Sequence, residues 1–190
     1  RSSTAAERAE LLEAVADCIE DRLEEFALLE SRDQGKPVSL ARAVDIPRAV
    51  SNFRFFAGAI RHFGAESYPM PGALNYTSRK PIGVVGLITP WNLPLYLLSW
   101  KTAPALAMGN CIVAKPSELT PLTANALAEV FTEVGAPPGI FNLVQGMGAD
   151  WRPNRAERPG LGDAHQPRLG RLALRAVGGR RLPVEDPRTR

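Results

Sequence analysis

Three short apolar runs, at 82–88, 111–114 and 141–144, alternate with two helical segments, and this alternation restricts the fold more than any other feature of the 190 residues. Each run is too short for a helix and has the apolar density of a buried strand. Residues 95–108 are helical in pattern, with Pro104 as a kink and Gly109-Asn110 as a C-terminal cap. Thr120 as N-cap and Pro121 at the first helical position open a second helix that runs to Gly135. Strand, helix, strand, helix, strand is the order of a parallel sheet with crossover helices, so the fold class is α/β.

Ahead of the sheet the periodicity is purely helical. Thr4 and Glu7 fit a capping box, and Leu12, Val15, Ile19, Leu23 and Phe26 recur on one face, which predicts one long helix over 5–30. Asp33-Gln34-Gly35-Lys36-Pro37 is a breaker cluster. Ile46, Val50, Phe53, Ala57 and Ile60 then repeat the helical period, with Pro47 in the first turn and an end near His62 to Gly64. Residues 68–80 are expected to form an extended arm or hairpin.

Charge divides the chain at Asp150. Residues 1–150 carry 13 Lys+Arg against 16 Asp+Glu, a balance of −3, whereas 151–190 carry 10 Arg against 4 acids, a balance of +6. That last segment lacks Ile, Phe, Tyr and Met and is dominated by Arg, Gly, Pro, Ala and Leu, a composition expected to stay disordered. Its origin is expected to be a misread frame, an alternative exon or a basic tail. With one aromatic, Trp151, it has no repeated basic-aromatic spacing, which argues against nucleic acid as the partner. No apolar stretch of about 18 residues and no signal peptide is visible, so no membrane association is expected. The start at Arg1 without a methionine leaves room for a lost upstream targeting segment. Cys18 and Cys111 lie far apart inside apolar patterns, which points to a reducing, cytoplasmic setting. His62 and His165 have no partners at ligand spacing, so no metal site is expected.

Three sites carry alternative readings on local grounds alone. Asn92 suits a turn between Trp91 and Pro94, or an amide donor at a strand end. Lys115 and Glu118 suit a solvated turn, or ligand contacts where an open α/β sheet presents them. Two glycines at 146 and 148 are a turn, or a place where backbone approaches a ligand.

Taken together, Thr89-Pro90-Trp91-Asn92-Leu93-Pro94, Gly109-Asn110 and Lys115-Pro116-Ser117-Glu118 resemble the cofactor-binding and oxyanion-stabilising part of the aldehyde dehydrogenase family. The resemblance covers Thr4 to Gly148 and is nearest to the branch acting on 2-aminomuconic and 2-hydroxymuconic semialdehydes. It implies that 1–150 is a partial NAD-binding domain, an incomplete Rossmann-like parallel sheet with flanking helices, and that about 67–80 is an oligomerisation arm. The family joins a thiolate to the aldehyde carbon, and the resulting oxyanion expels hydride to NAD. By resemblance Asn92 donates to that oxyanion. Ile88, Thr89, Pro90, Trp91, Asn92, Lys115, Ser117, Glu118 and Gly148 would then contact the cofactor, with Lys115 and Glu118 on the adenosine ribose. A homo-oligomer is the implied assembly.

The family's Phe-Thr-Gly-Ser turn, its Glu-Leu-Gly-Gly general base and its Gly-Gln-x-Cys nucleophile are absent from the 190 residues. Cys111 is expected to be a buried strand residue. Cys18, beside Asp17 and Glu20, is expected to have a raised thiol pKa. The expected function is therefore that of a fragment of an aldehyde-oxidising enzyme without activity of its own. The alternative is a non-catalytic protein that binds nucleic acid or an acidic partner through its tail, or pairs with full-length subunits through the arm.

Overall fold

The computed structural model describes residues 3–147; the expectations for Gly148 and for 151–190 lie outside the described residues. Helix α1, Ala5–Asp21, opens on the predicted capping box, in which the Glu7 N–H donates to Thr4 Oγ1 at 3.1 Å and the Thr4 N–H to Glu7 Oε2 at 2.7 Å. The single helix expected over 5–30 is two helices. The chain bends at Arg22, with ψ at 21°, and resumes as α2, Leu23–Gln34. The cause lies far away in sequence: the Arg22 guanidinium reaches Glu129 and Glu133 at 3.3 and 3.2 Å, as well as Glu25 at 2.8 Å, so the bend is fixed against the helix that carries those two acids.

Gly35, at φ 72°, ends α2 in the left-handed conformation and donates its N–H to Ser31 O at 2.7 Å. A short helix α3, Val38–Leu40, a π-helical turn, Ala41–Asp45, and α4, Ile46–Arg61, follow without a break, with Pro47 in the first turn of α4 as expected. The arm is a hairpin of β1, Ser67–Met70, and β2, Ala73–Tyr76, antiparallel with Ser67 opposite Tyr76. All eight of its strand residues are exposed.

The remaining strands, β3 Val84–Ile88, β4 Cys111–Lys115 and β5 Phe141–Leu143, form one parallel sheet in the order β3-β4-β5. Helices α5, Pro94–Ala107, and α6, Leu122–Glu133, make the two crossovers. Because the strands lie in sequence order, right-handed crossovers place both helices on the same face. That face carries the core. Val85, Leu87, Ile112 and Ala114 point into it, against Leu95, Leu98 and Leu106 of α5 and Leu127, Val130 and Phe131 of α6. Leu12, Val15 and Ile19 of α1 and Phe53 of α4 close the layer behind them, and the Phe131 ring stacks on Phe141 at 4.6 Å. Asn110 joins crossover to strand: its Nδ2 donates to Ala105 O at 3.0 Å while its Oδ1 accepts the Gly83 N–H at 3.1 Å.

The opposite face is not closed among the described residues. Val84, Cys111 and Val113 alternate onto it half-buried, and Gly86 and Ile88 are exposed. The run 82–88 is therefore not the fully buried strand expected from its apolar density, and the Cys111 thiol is half-buried rather than buried. A parallel sheet needs helices on both faces to bury both.

The start of α6 also differs from expectation. Thr120 makes no capping bond; its hydroxyl is buried without a partner. The Leu122 N–H is taken instead by Asp33 Oδ2 at 2.8 Å, from the last turn of α2. Asp33→Ala should therefore cost about 1 kcal/mol in urea unfolding, the usual worth of a cap. Thr120→Val, which removes a buried unpaired hydroxyl, should be neutral or slightly stabilising; a larger loss for Thr120→Val than for Asp33→Ala would contradict this assignment.

Candidate functional site

In an open parallel sheet the loops at the carboxyl ends of the strands share one edge, where backbone groups left unpaired by the sheet are available to a ligand. Here β3 runs into Thr89-Pro90-Trp91-Asn92, β4 into Pro116-Ser117-Glu118 and β5 into Val144-Gln145-Gly146-Met147. Ile88 and Lys115 are register partners, and the Thr89 N–H donates to Lys115 O at 3.2 Å, so the first two loops leave the sheet side by side. All the candidate residues except Gly148, which lies outside the described residues, are thus brought to one edge.

Lys115 is 4% exposed, and its ammonium donates to Pro116 O and to Glu118 Oε2, each at 3.0 Å. The Glu118 carboxyl is held below its ordinary pKa by its own backbone N–H and then by Lys115, so it is ionised at neutral pH while it faces water. Ser117 Oγ accepts the Leu119 N–H at 3.2 Å and shapes the turn. Trp91 is 58% exposed, Ile88 and Asn92 are exposed, and the Asn92 amide makes no hydrogen bond among the described residues. An exposed, uncommitted amide is free to donate to a ligand oxygen. The Thr89 hydroxyl, in contrast, is buried and unpaired, and faces inward.

Three side chains that sequence reasoning did not single out bear on this edge. Gln34 donates its amide to the Trp91 carbonyl. Lys101, on α5, donates to Ile88 O at 2.5 Å, and partial loss of hydration pushes its pKa down. Arg48, on α4, lies over the Tyr96 ring at 4.4 Å with Nη2 3.2 Å from the Tyr96 hydroxyl, and Tyr96 leans on the exposed Trp100 at 5.9 Å. None of these has a local signature, because each partner lies 13 or more residues away in the chain.

Beneath the edge lies a buried group of charges. Lys36 Nζ is 2.5 Å from Asp45 Oδ2 and 3.6 Å from Glu30 Oε1, and neither Glu30 oxygen has a hydrogen bond. Burial pushes the Glu30 carboxyl up to about 7, against the pull of Lys36 and with the help of Asp45. The Cys18 thiol is raised as expected, but burial and then Glu133, rather than its neighbours in the helix, are the cause. Among the described residues no three His, Cys, Asp or Glu side chains group as metal ligands, and no helix is long and apolar enough to cross a membrane.

The aldehyde dehydrogenase family profile matches residues 1–161, beyond the change of composition at Asp150, and the chain belongs to that family. It is 54% identical over 149 residues to the 2-aminomuconic semialdehyde dehydrogenase of Homo sapiens, covering 77% of this chain and 31% of the relative. Against the 2-hydroxymuconic semialdehyde dehydrogenase of Pseudomonas sp. (strain CF600) the identity is 50% over 150 residues, covering 76% and 31%. The solved NAD+ complex of the aldehyde dehydrogenase from Bacillus cereus superposes with a TM-score of 0.75 at 46% identity, over 77% of this chain and 30% of that one. The chain therefore spans about a third of the length of the proteins it matches, and its three parallel strands and helices have the architecture found in that part of the fold.

The Glu30 carboxyl makes stability depend on pH. The folded chain holds this proton more tightly than the unfolded chain, whose carboxyl has the ordinary value of 4.5. The contribution is complete below that value and is lost as pH rises to about 7, a fall of about 3 kcal/mol in all. Denaturant unfolding should show stability declining from pH 5 to 8, and Glu30→Gln should flatten the decline. An equally steep decline in the variant would contradict the assignment.

Proposed function

We propose that residues 3–147 cradle NAD at the carboxyl edge of the β3-β4-β5 sheet, and that the 190 residues do not oxidise an aldehyde by themselves. The observation that carries this reading is the Lys115–Glu118 pair, an ionised and accessible carboxylate held by a buried ammonium beside Thr89. Such a carboxylate accepts hydrogen bonds from the two hydroxyls of the adenosine ribose and repels a phosphate in their place, which favours NAD over NADP. Ile88, Thr89, Pro90, Trp91 and Ser117 would form the walls of the cradle, and Gly148, outside the described residues, is a further cofactor contact that the family resemblance implies. NAD bound in this cradle would serve as the hydride acceptor. Asn92, with its free amide, would donate to the substrate oxygen as negative charge develops there.

A muconic semialdehyde is the proposed substrate class, supported by the names of two relatives, a 2-aminomuconic and a 2-hydroxymuconic semialdehyde dehydrogenase. Such a molecule carries a carboxylate at the end away from the aldehyde. Arg48, which lies over the Tyr96 ring in the first turn of α5, would be a cation able to receive that carboxylate. The exposed hairpin of β1 and β2 would serve as the oligomerisation arm of the domain formed by residues 1–150, and 151–190 would be a tail outside it. The alternative, a non-catalytic protein that pairs with full-length subunits, rests on that same exposed hairpin.

Isothermal titration should give saturable NAD binding, weaker NADP binding, and a loss of roughly tenfold in NAD affinity for Glu118→Gln. NADH should not accumulate with 2-hydroxymuconic semialdehyde, since the 190 residues hold no Gly-Gln-x-Cys thiol or Glu-Leu-Gly-Gly carboxylate. Equal affinity in the wild type and Glu118→Gln would remove the ribose role, and turnover that is lost in Cys111→Ala would overturn the reading of the chain as inactive.

A further inference from the structure

The backbone of residues 90–92 is unusually short of restraints. Pro90 has no N–H to donate, Trp91 and Asn92 are exposed, and neither Trp91 nor Asn92 donates its backbone N–H within the described residues. One hydrogen bond from outside reaches this stretch: the Gln34 side-chain amide donates to the Trp91 carbonyl, across 57 residues of sequence. Gln34 is itself well fixed. It is the last residue of α2, its neighbour Asp33 is committed to the Leu122 N–H at the start of α6, Gly35 closes the helix in the left-handed conformation, and Lys36 is tied to Asp45.

We propose that Gln34 is a positioning residue for the candidate oxyanion donor, setting the direction of the Asn92 amide by holding the peptide that precedes it. The Trp91 carbonyl belongs to the peptide unit whose nitrogen is that of Asn92, so fixing that oxygen fixes the plane from which the Asn92 side chain departs. A donor to an oxyanion is effective when it is oriented before charge develops, and among the described residues this loop of one proline and two free backbone amides receives no other hydrogen bond. Asp33 and Gln34 together make the end of α2 a clamp on both candidate loops, one through the start of α6 and one through Trp91. The inference rests on the reading of Asn92 and the NAD cradle given above, but the contact itself is testable without it.

The test is made on the whole chain in solution, labelled with 13C and 15N. A scalar coupling across the hydrogen bond from Gln34 Nε2 to the Trp91 carbonyl carbon is expected in the wild type, and its absence would overturn the proposal without recourse to any variant. In Gln34→Glu, which keeps the shape and loses the donor, the Trp91 carbonyl and the Asn92 side-chain amide resonances should move while those of Trp100 stay in place. Gln34→Lys, which restores a donor, should return them toward the wild type. An unmoved Trp91 carbonyl in a folded Gln34→Glu chain would refute the positioning role. NAD titrated into the same samples separates the two readings: affinity should fall about fivefold in Gln34→Glu. A wild type that shows the coupling but binds no NAD would refute the cofactor reading and leave the Gln34 contact standing.

Discussion

Lys36, 2.5 Å from Asp45 and 3.6 Å from Glu30, is the contact on which the candidate site depends. It ties the turn after α2 to the π-helical turn before α4, and so fixes the end of α2, from which Asp33 accepts the first amide of α6 and Gln34 donates to the Trp91 carbonyl. Buried charges are costly to desolvate, and a pair such as this specifies geometry more dependably than it adds stability. The fully buried Glu30, whose carboxyl has no hydrogen bond, is the destabilising member of the group. Its proton affinity is the trace that this arrangement leaves in the pH dependence of the fold.

The sheet sets the second constraint. Sequential order of three parallel strands sends α5 and α6 to one face and leaves the other half-exposed, so the molecule has a dry side and an open side. Its carboxyl edge is built from loops that leave adjacent strands in register, and the Thr89 N–H bond to Lys115 O extends the ladder one step into those loops. A cofactor cradle made in this way needs few side chains. In the proposed cradle Lys115 and Glu118 would supply the charges, and backbone geometry the rest.

Much of this was legible in the sequence, and the limits were physical. The three strands and the two crossover helices could be read because apolar runs and helical periods are local signals, and the first-turn Pro47 and the capping box of Thr4 and Glu7 were local as well. The bend at Arg22 was not legible, since it is set by Glu129 and Glu133 more than 100 residues away. Thr120 had the right residue type for a cap, yet Asp33 took the amide from the distant end of α2, and Asp33-Gln34-Gly35-Lys36-Pro37 read as a mere breaker although three of its side chains are anchors. The open face of the sheet was foreseeable from the strand count, because three short strands cannot complete a sheet covered on both sides, whereas apolar density alone reads 82–88 as a buried strand.

We propose that NAD occupies the carboxyl edge of the three-stranded sheet. Its most direct test is a backbone amide spectrum of the chain recorded during a titration with NAD. Perturbations should concentrate at Ile88, Thr89, Trp91, Asn92, Lys115, Ser117 and Glu118 and leave the hairpin of β1 and β2 unmoved. Perturbations confined to the hairpin or to α1, or a spectrum that does not respond at saturating NAD, would contradict the account.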